Sequence, residues 1–409
     1  MISYKEMEDF VSNVRKDFPI YDNNPNLIYL DSAATSLKPK CVIDKMNEYY
    51  EKYGVNIHRG VYKLSYIASS ECDQARAKVA KFINANPMEI VFTKNASDSL
   101  NSLCLMYSKL LKAGDEILTS YQEHHSSVLP WLISSKENNF KLTYMPLDKD
   151  GRLSVSTIQN SISDKTKVIV INYISNVLGY VNDIKRICEL AHKQGIIVIV
   201  DGAQAVQHLP IDVKELDCDF FAFSSHKMFG PTGIGVLYGK KKLLKQLKPL
   251  YYGGDMNENV DVDHVDIKEV PYCFETGTPM IAEIIGLGKA IDYINSIGLD
   301  KIKKHDESIM EYLELKLKDI SGIEIYNKGF ESTIFSFNIH GVHPHDAASF
   351  FDQYGVCLRA GHHCAQLMTK WLGCNGTLRA SFFIYNDYKD VDVFIDSLKR
   401  IIKFFKENL

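Results

Sequence analysis

The sequence of 409 residues has no basic block, no closely spaced cysteine pair and no long apolar run. Its 47 Lys and Arg against 51 Asp and Glu leave a net charge of −4, which argues against a nucleic-acid partner. Nine cysteines, an odd number without C-x-x-C spacing, argue against a disulfide framework or a self-contained zinc site, and they suit a reducing compartment. Because residues 1–17 lack an apolar signal region and no run could span a bilayer, we predict a cytoplasmic protein without a membrane partner.

The composition and pattern that remain are those of a soluble α/β protein. Apolar residues make up 45% and charged residues 24%, and the length favours one large and one smaller domain. Short apolar runs alternate with helical patterns up to about residue 280, which predicts a mostly parallel sheet covered by helices. A long helical region, shorter strands and a terminal amphipathic helix follow. We therefore predict a large domain over residues 22–290 and a small α/β domain formed by residues 1–21 and 291–409.

A lysine follows a short apolar run near the middle of the chain. Residues 220–223 are Phe-Phe-Ala-Phe, typical of a buried strand, and Ser-Ser-His then leads to Lys227 and a Gly-Pro-Thr-Gly turn. A lysine in a partly dry pocket can be a neutral amine, and a neutral amine can form a Schiff base. For this residue taken alone, an ordinary surface lysine is the alternative.

A carboxylate ends the preceding apolar run, residues 196–200. Asp201 is therefore expected at the carboxyl end of a parallel strand, where such sheets bind ligands. Pyridoxal phosphate needs this combination, since a carboxylate pairs with its ring nitrogen and a lysine holds its aldehyde. A helix cap is the commoner role of a strand-end Asp, but a spacing of about 25 residues to Lys227 favours the cofactor.

A third strand, at residues 89–93, leads into Asn-Ala-Ser-Asp at 95–98 and then into a helical pattern. A helix that begins directly after a strand is a common phosphate site, because its first N–H groups and its dipole face the anion. Plain helix caps at Ser97 and Asp98 are the alternative from this turn alone.

Two histidines precede a cysteine in the segment 359–366, which we place on a loop after a short strand. His362, His363 and Cys364 suggest either metal ligands or an activated thiol. Three consecutive residues rarely converge on one ion, whereas cationic neighbours lower the pKa of a thiol from its usual value of about 8.5. We predict no metal and a reactive Cys364, with a metal-binding scaffold as the alternative.

Several segments together resemble one enzyme family, the group II cysteine desulfurases of the Suf type, which are class V aminotransferase-like proteins. The resemblance covers nearly the whole chain and implies the α/β fold type I of pyridoxal-phosphate enzymes, with pyridoxal 5′-phosphate as cofactor. The segments are Glu123-His124-His125, Asn176-Val177-Leu178-Gly179, Asp201-Gly202-Ala203-Gln204, Ser224-Ser225-His226-Lys227, Gly230-Pro231-Thr232-Gly233, Glu275-Thr276-Gly277-Thr278-Pro279 and Arg359-Ala360-Gly361-His362-His363-Cys364-Ala365.

The resemblance also implies the residues that bind the cofactor. Lys227 carries it covalently, Asp201 holds the ring nitrogen, Gln204 contacts the ring hydroxyl, and His124 stacks on the ring as a further catalytic residue. The expected phosphate-binding residues are Ala96 through its N–H, Ser97, Ser224, His226 and, from the partner subunit of a homodimer, Thr278. Ala96 stands where many relatives have Thr, so one phosphate-binding hydroxyl is missing.

The implied reaction converts L-cysteine to L-alanine and leaves a persulfide on Cys364, as a sulfur source for iron–sulfur cluster assembly. The loop lacks the Pro that is common shortly after this cysteine, so its path beyond Cys364 is open. Alternatives are a selenocysteine lyase, a pyridoxal-phosphate enzyme that is not a desulfurase, and the metal-binding scaffold. The expected substrate-binding residues are Asn176 and Arg379 at the carboxylate, and His58, Arg59 and Arg359 as lining positions.

A last expectation concerns the protein that accepts the sulfur. Residues 343–346, His-Pro-His-Asp, resemble desulfurases that pass sulfur to a zinc-containing, U-type acceptor. In that arrangement His345 takes over one zinc position and frees a cysteine of the acceptor, which fits neutral imidazole as a good zinc ligand. A helix cap or a solvated side chain is the alternative for His345.

Overall fold

The chain forms two main sheets of unequal size, each with its own helices. The computed structural model describes residues 1–408. Its strands are β1 (Ile28–Tyr29), β2 (Ile90–Thr93), β3 (Glu116–Ser120), β4 (Lys141–Met145), β5 (Thr166–Asn172), β6 (Ile197–Asp201), β7 (Phe220–Ser224), β8 (Gly235–Gly239), β9 (Asn257–Val260), β10 (Val265–Ile267), β11 (Ile323–Ile325), β12 (Ile334–Ile339), β13 (Val356–Cys357), β14 (Arg359–Gly361) and β15 (Thr377–Ser381).

Helices separate most of these strands. They are α1 (Tyr4–Arg15), α2 (Ile20–Asn23), α3 (Lys40–Lys52), α4 (Lys63–Phe82), α5 (Ala96–Tyr107), α6 (His125–Asn138), α7 (Val155–Ser161), α8 (Ile184–His192), α9 (Val213–Leu216), α10 (Lys241–Leu244), α11 (Ile281–Ile297), α12 (Leu299–Leu317), α13 (Pro344–Gln353), α14 (Gln366–Trp371) and α15 (Tyr388–Asn408).

The large sheet has seven strands in the order β2-β8-β7-β6-β5-β3-β4. Only β8 is antiparallel to its neighbours, so the predicted mostly parallel sheet is confirmed. Alternate residues of a strand enter different cores: Ile169 packs into one apolar cluster and Val168 into the other. Burial on both faces explains why these strands are continuous apolar runs.

The smaller sheet is antiparallel, in the order β11-β12-β15-β14. Helices α12, α13 and α15 pack on it around an apolar cluster of its own. The N-terminal helix contributes Met7 and Val11 to this cluster. The break predicted within the long helical region lies at Gly298, which separates α11 from α12 with a φ of 90°.

The two parts are linked by more than the long helices. Strand β1, which lies within the predicted large domain, pairs in parallel with β13 of the smaller part. Asp31 then bridges to Ser381. The boundary near residue 290 remains a prediction, and its last residue, 409, lies outside the described residues. No helix among residues 1–408 is long and apolar enough to cross a membrane.

Candidate active site

A cavity of about 520 Å³ lies between the carboxyl ends of the large-sheet strands and the edge of the smaller sheet. It brings together most of the residues predicted from the sequence. Those that line it are Ala96, Ser97, His124, Asn176, Asp201, Gln204, Ser224, His226, Lys227, Arg359, Cys364 and Arg379.

Lys227 ends a single 3₁₀ turn, Ser225–Lys227, that directly follows β7. Its side chain is partly accessible because it faces the cavity, while protein atoms surround it on the other sides. Burial lowers the pKa of Lys227 to about 8, against the opposing effect of the Asp201 carboxylate. A substantial fraction of this amine is therefore neutral near pH 8, as a nucleophilic lysine requires.

A second lysine, Lys38, stabilises this turn through the backbone carbonyl of His226. The Lys38 ammonium donates a hydrogen bond to the carbonyl of His226 at 2.8 Å and another to Ser36 O. Burial lowers the pKa of Lys38 to about 7. Burial and the charges of Lys227 and Lys38 also lower the pKa of His226 to about 4, so its ring is neutral at pH 7.

Asp201 is the last residue of β6 and is only 6% exposed. Ser127 donates its hydroxyl to Oδ2 of Asp201 at 3.0 Å, and Ala203 donates its N–H to Oδ1 at 3.0 Å. Nearby, burial and the Asp201 charge raise the pKa of Glu123 to about 8. Glu123 is therefore largely protonated at neutral pH.

The other end of the cavity is built on the N-terminus of α5. Ser97 and Ser126 form a hydroxyl–hydroxyl hydrogen bond of 2.5 Å. The N–H of Ala96, expected to be available for a phosphate, donates instead to Ser224 Oγ at 2.8 Å. The Ser224 hydroxyl thus occupies this N–H.

His124 caps α6, and its Nδ1 accepts a hydrogen bond from Ser126 N–H at 3.1 Å. Burial, reinforced by the Lys227 charge, lowers the pKa of His124 to about 4. The ring is therefore a neutral face of the cavity at pH 7. Gln204 also lies at the cavity, with its side-chain amide donating to Ala33 O at 2.8 Å.

Arginines cluster where the smaller sheet meets the cavity. Arg379, on β15, donates to Asn176 O at 2.8 Å and approaches Asp31 at 3.5 Å, while its Nε has no hydrogen-bond partner. Burial lowers the pKa of Arg379 to about 10, which still leaves it cationic at neutral pH. Arg359, on β14, pairs with Asp31 through two nitrogens. One carboxylate thus faces two guanidinium groups, and the surplus positive charge favours an anionic ligand.

Cys364 is exposed at the edge of the cavity, the most accessible of the nine free cysteines. The segment predicted as a loop begins as strand β14, turns at His363 and Cys364, and enters α14 at Gln366. The path beyond Cys364 is therefore a short helix. Asn176 supports the turn by donating its side-chain amide to His363 O at 2.7 Å.

Three predicted site residues, His58, Arg59 and Thr278, do not line the cavity of their own chain, and Thr278 is expected at the cavity of a partner subunit. His58 and Arg59 lie on an exposed loop, where Arg59 pairs with Asp255 at 2.8 Å. His58 lines a separate cleft together with Gly277, beside the exposed Thr278. The loop that carries His58 and Arg59 contacts Ser69 and Asp255 and lies outside the cavity.

His345 lies outside the cavity, in an open groove that shares Arg359 and Ala360 with it. A Cβ atom placed on Gly361 would be 3.7 Å from Nε2 of His345. The imidazole is exposed and stacks near His343, with ring centroids 5.5 Å apart. His345 is thus a surface residue next to the cysteine segment.

The Aminotransferase class-V family matches residues 28–394 of the chain. The chain belongs to this family. Among its relatives are a "Probable cysteine desulfurase" of Halalkalibacterium halodurans, 45% identical over 397 residues (96% of this chain, 98% of the relative), and one of Staphylococcus epidermidis, 44% identical over 402 residues (97% of each). Similar solved structures are the cysteine desulfurase CsdA of Escherichia coli, with TM-score 0.90 and 35% identity, and the cysteine desulfurase of Thermococcus onnurineus NA1, with TM-score 0.92 and 39% identity. Each alignment covers 96% of this chain and 98% of the other.

Membership of the class-V family implies pyridoxal 5′-phosphate, and the cavity fits this cofactor. The cavity is lined by the amine of Lys227, which suits the cofactor aldehyde, and by the carboxylate of Asp201, which suits the ring nitrogen. Its far end is the N-terminus of a helix flanked by the hydroxyls of Ser97 and Ser224, a donor set suited to a phosphate. The predicted fold and cofactor of the family are confirmed.

Several contacts of the site were not identified from the sequence. Ser127 donates a hydrogen bond to Asp201, and Asp31 accepts hydrogen bonds from Arg359. Neither residue belongs to a motif recognised in the sequence. The signal available for Asp31 was its position two residues after β1, whereas Asp201 is the last residue of β6. Among residues 1–408, no three His, Cys, Asp or Glu side chains come together as a metal site.

Proposed function

We propose that this chain is a pyridoxal-phosphate-dependent cysteine desulfurase of the Suf type. It converts L-cysteine to L-alanine and holds the released sulfur as a persulfide on Cys364, as a supply for iron–sulfur cluster assembly. The observation that carries the proposal is an exposed thiol, Cys364, on the same cavity as Lys227 and Asp201. The cysteine desulfurases among its relatives support it.

Residues of the cavity suit two parts of the amino acid substrate, its carboxylate and its Cα proton. Arg379, with its unpaired Nε, and Asn176 suit the substrate carboxylate. Bound pyridoxal phosphate supplies an electron sink that acidifies the Cα proton of the amino acid. Lys227, with a pKa near 8, is the group suited to accept that proton and return one.

Cys364 carries out the sulfur transfer. Its thiolate attacks the sulfur atom of the substrate, and an S–S bond forms as the Cβ–S bond breaks. The persulfide stays on the protein, and the carbon skeleton leaves as alanine after protonation at Cβ. A thiol at the mouth of the cavity can both reach the substrate and present its sulfur outward.

The test measures alanine and sulfide released from L-cysteine by the purified protein, with and without a thiol reductant. We expect equal alanine and sulfide with reductant, and persulfide in place of sulfide without it. A yellow colour that is lost on adding a carbonyl reagent is expected from the cofactor. A colourless protein, or a yellow one that forms no alanine, contradicts the proposal. Selenocysteine in a parallel assay separates this activity from a selenocysteine lyase.

We also propose a cytoplasmic homodimer in which Thr278 reaches the cofactor phosphate of the partner subunit. A surface with the exposed apolar side chains of Val61, Tyr62 and Tyr66 supports this, because neighbouring exposed apolar residues often mark an interface. Val61 is 90% and Val262 100% exposed, and the Arg59–Asp255 ion pair joins their segments. His58 and Arg59 belong to this surface, so the dimer gives them a route to a second cavity. Sedimentation that gives the mass of one chain contradicts the dimer.

The sulfur acceptor is proposed to be a zinc-containing, U-type protein that docks at His345. Support comes from the exposed imidazole in the groove beside the strand that leads to Cys364. His345→Ala should keep basal turnover with reductant and lose the stimulation by the zinc-containing acceptor. His340→Ala, at an exposed position on another segment, is the matched control. Unchanged stimulation of His345→Ala means that His345 is only a surface histidine.

A further inference from the structure

Two helices meet at the cysteine segment and cap one another. Helix α6 begins at His125, whose N–H donates to the carbonyl of Cys364 at 2.6 Å. Helix α14 begins at Gln366, whose N–H donates to Nε2 of the His125 ring at 3.0 Å. The first N–H groups of a helix have no acceptor within it. Each helix start therefore binds the acceptor provided by the other segment.

The turn between these contacts has an unusual backbone. His363 and Cys364 have φ values of 52° and 53°, in the left-handed region that non-glycine residues adopt only when their surroundings compensate. Ala365 N–H closes the turn on His362 O at 2.8 Å. Ala365 is also the cap of α14 and offers no side-chain acceptor. The ring of His125 takes the place of that missing cap.

We propose that His125 is a positioning residue that holds the turn, and with it the Cys364 thiol, at the cavity. The inference rests on the desulfurase function proposed above, because it assigns a task to the thiol. His124, the cap of α6, faces the cofactor end of the cavity. His125 thus joins the segment of the nucleophile to the helix start that lines the cofactor site.

The protonation state of His125 agrees with this task. Nε2 can accept from Gln366 only if it carries no proton, which places the proton of the neutral ring on Nδ1. Burial, with the nearby His362, lowers the pKa of His125, so the ring is neutral at pH 7. The other titratable groups beside it are His124 on its own helix and Cys364 on the turn.

Three substitutions separate positioning from general packing. In His125→Gln the side-chain oxygen replaces Nε2 as the acceptor. In His125→Asn the side chain is too short for its oxygen to reach Gln366, and in His125→Ala no acceptor remains. His340→Ala again serves as the control. For each protein with bound cofactor we measure deuterium uptake of residues 361–370 without substrate, the visible absorption, and kcat and KM for L-cysteine.

We expect the Ala and Asn variants to exchange the Gln366 amide about ten-fold faster and to lose about ten-fold in kcat, the effect of one hydrogen bond. Their absorption and KM should stay at the parent values, and His125→Gln should recover both losses. Unchanged exchange in His125→Ala overturns the proposal, and so does a Gln variant as impaired as Ala. Because exchange is measured without substrate, its outcome stands even if the chain releases no alanine from cysteine.

Discussion

Glu123 is a buried acid beside the cofactor end of the cavity, and its substitution gives a sharp test of the electrostatics. The side chain is 1% exposed, Oε1 accepts a hydrogen bond from Ser120 at 2.7 Å, and Oε2 has no partner. Burial, with a contribution from the Asp201 charge, raises the pKa from 4.5 to about 8. The folded protein therefore retains a proton at neutral pH that the unfolded chain releases.

The sign of the effect on stability follows from this difference. A raised folded-state pKa favours the folded state fully below pH 4.5, and this favourable contribution is lost as the pH rises towards 8. The rise corresponds to a loss of up to about 5 kcal/mol between those pH values, at about 1.4 kcal/mol per pH unit. Glu123→Gln has nearly the same shape and does not titrate, so it escapes this loss.

The assay is urea unfolding at pH 5 and pH 8, followed by tryptophan fluorescence. Relative to the parent, Glu123→Gln should gain about 2–5 kcal/mol in the free energy of unfolding between the two pH values. Glu116→Gln is the matched control with the opposite behaviour. Burial opposes ionisation of Glu116, but hydrogen bonds from Thr143, Ser163 and Thr166 prevail and lower its pKa.

Glu116→Gln should therefore destabilise the protein equally at pH 5 and pH 8, with the difference shrinking only in more acidic solution. The reasoning is refuted if the difference between Glu123→Gln and the parent is the same at both pH values. It is also refuted if the free energy of unfolding of Glu123→Gln, relative to that of the parent, falls as the pH rises from 5 to 8.

Three further predictions concern the chemistry. Lys227→Ala should lose the yellow colour and all alanine formation, and Lys227→Arg should not restore them because a guanidinium stays protonated; measurable turnover in the Ala variant contradicts the role of this lysine. Cys364→Ala should keep the colour and bind cysteine but form no protein persulfide, while Cys374→Ala behaves as the parent; persulfide found by mass spectrometry on Cys357 or Cys374 of the parent identifies a different nucleophile. Arg379→Lys should raise KM for cysteine at least about ten-fold, since an ammonium cannot form the two parallel hydrogen bonds of a guanidinium; an unchanged KM places the carboxylate elsewhere.

The sequence predicted those parts of the protein that depend on local pattern. Strands buried on both faces are continuous apolar runs, so the parallel sheet and the strand-end position of Asp201 could be recognised directly. Lys227 follows β7 by a single turn, and its distance along the chain from Asp201 is one strand-and-crossover unit. Local order of this kind makes both positions predictable.

The contacts that complete the site join distant parts of the chain. Ser127 and Asp201 are 74 residues apart, and Asp31 and Arg359 are 328 apart. No periodicity within one segment encodes which distant polar residue will meet another after folding. The exposed position of His58 could not be predicted either, because it follows from contacts of the 54–60 loop with other segments.

The uneven shielding of the nine thiols affects how the protein tolerates oxidants. Five cysteines are buried, and burial raises the pKa of Cys104 to about 12 and of Cys273 to about 11, which keeps them as unreactive thiols. Cys364 is exposed and is therefore the first to meet peroxide or an alkylating agent. Limiting iodoacetamide should label one sulfur per chain. If Cys364 holds the persulfide as proposed, the same exposure makes a single oxidation event enough to silence the enzyme.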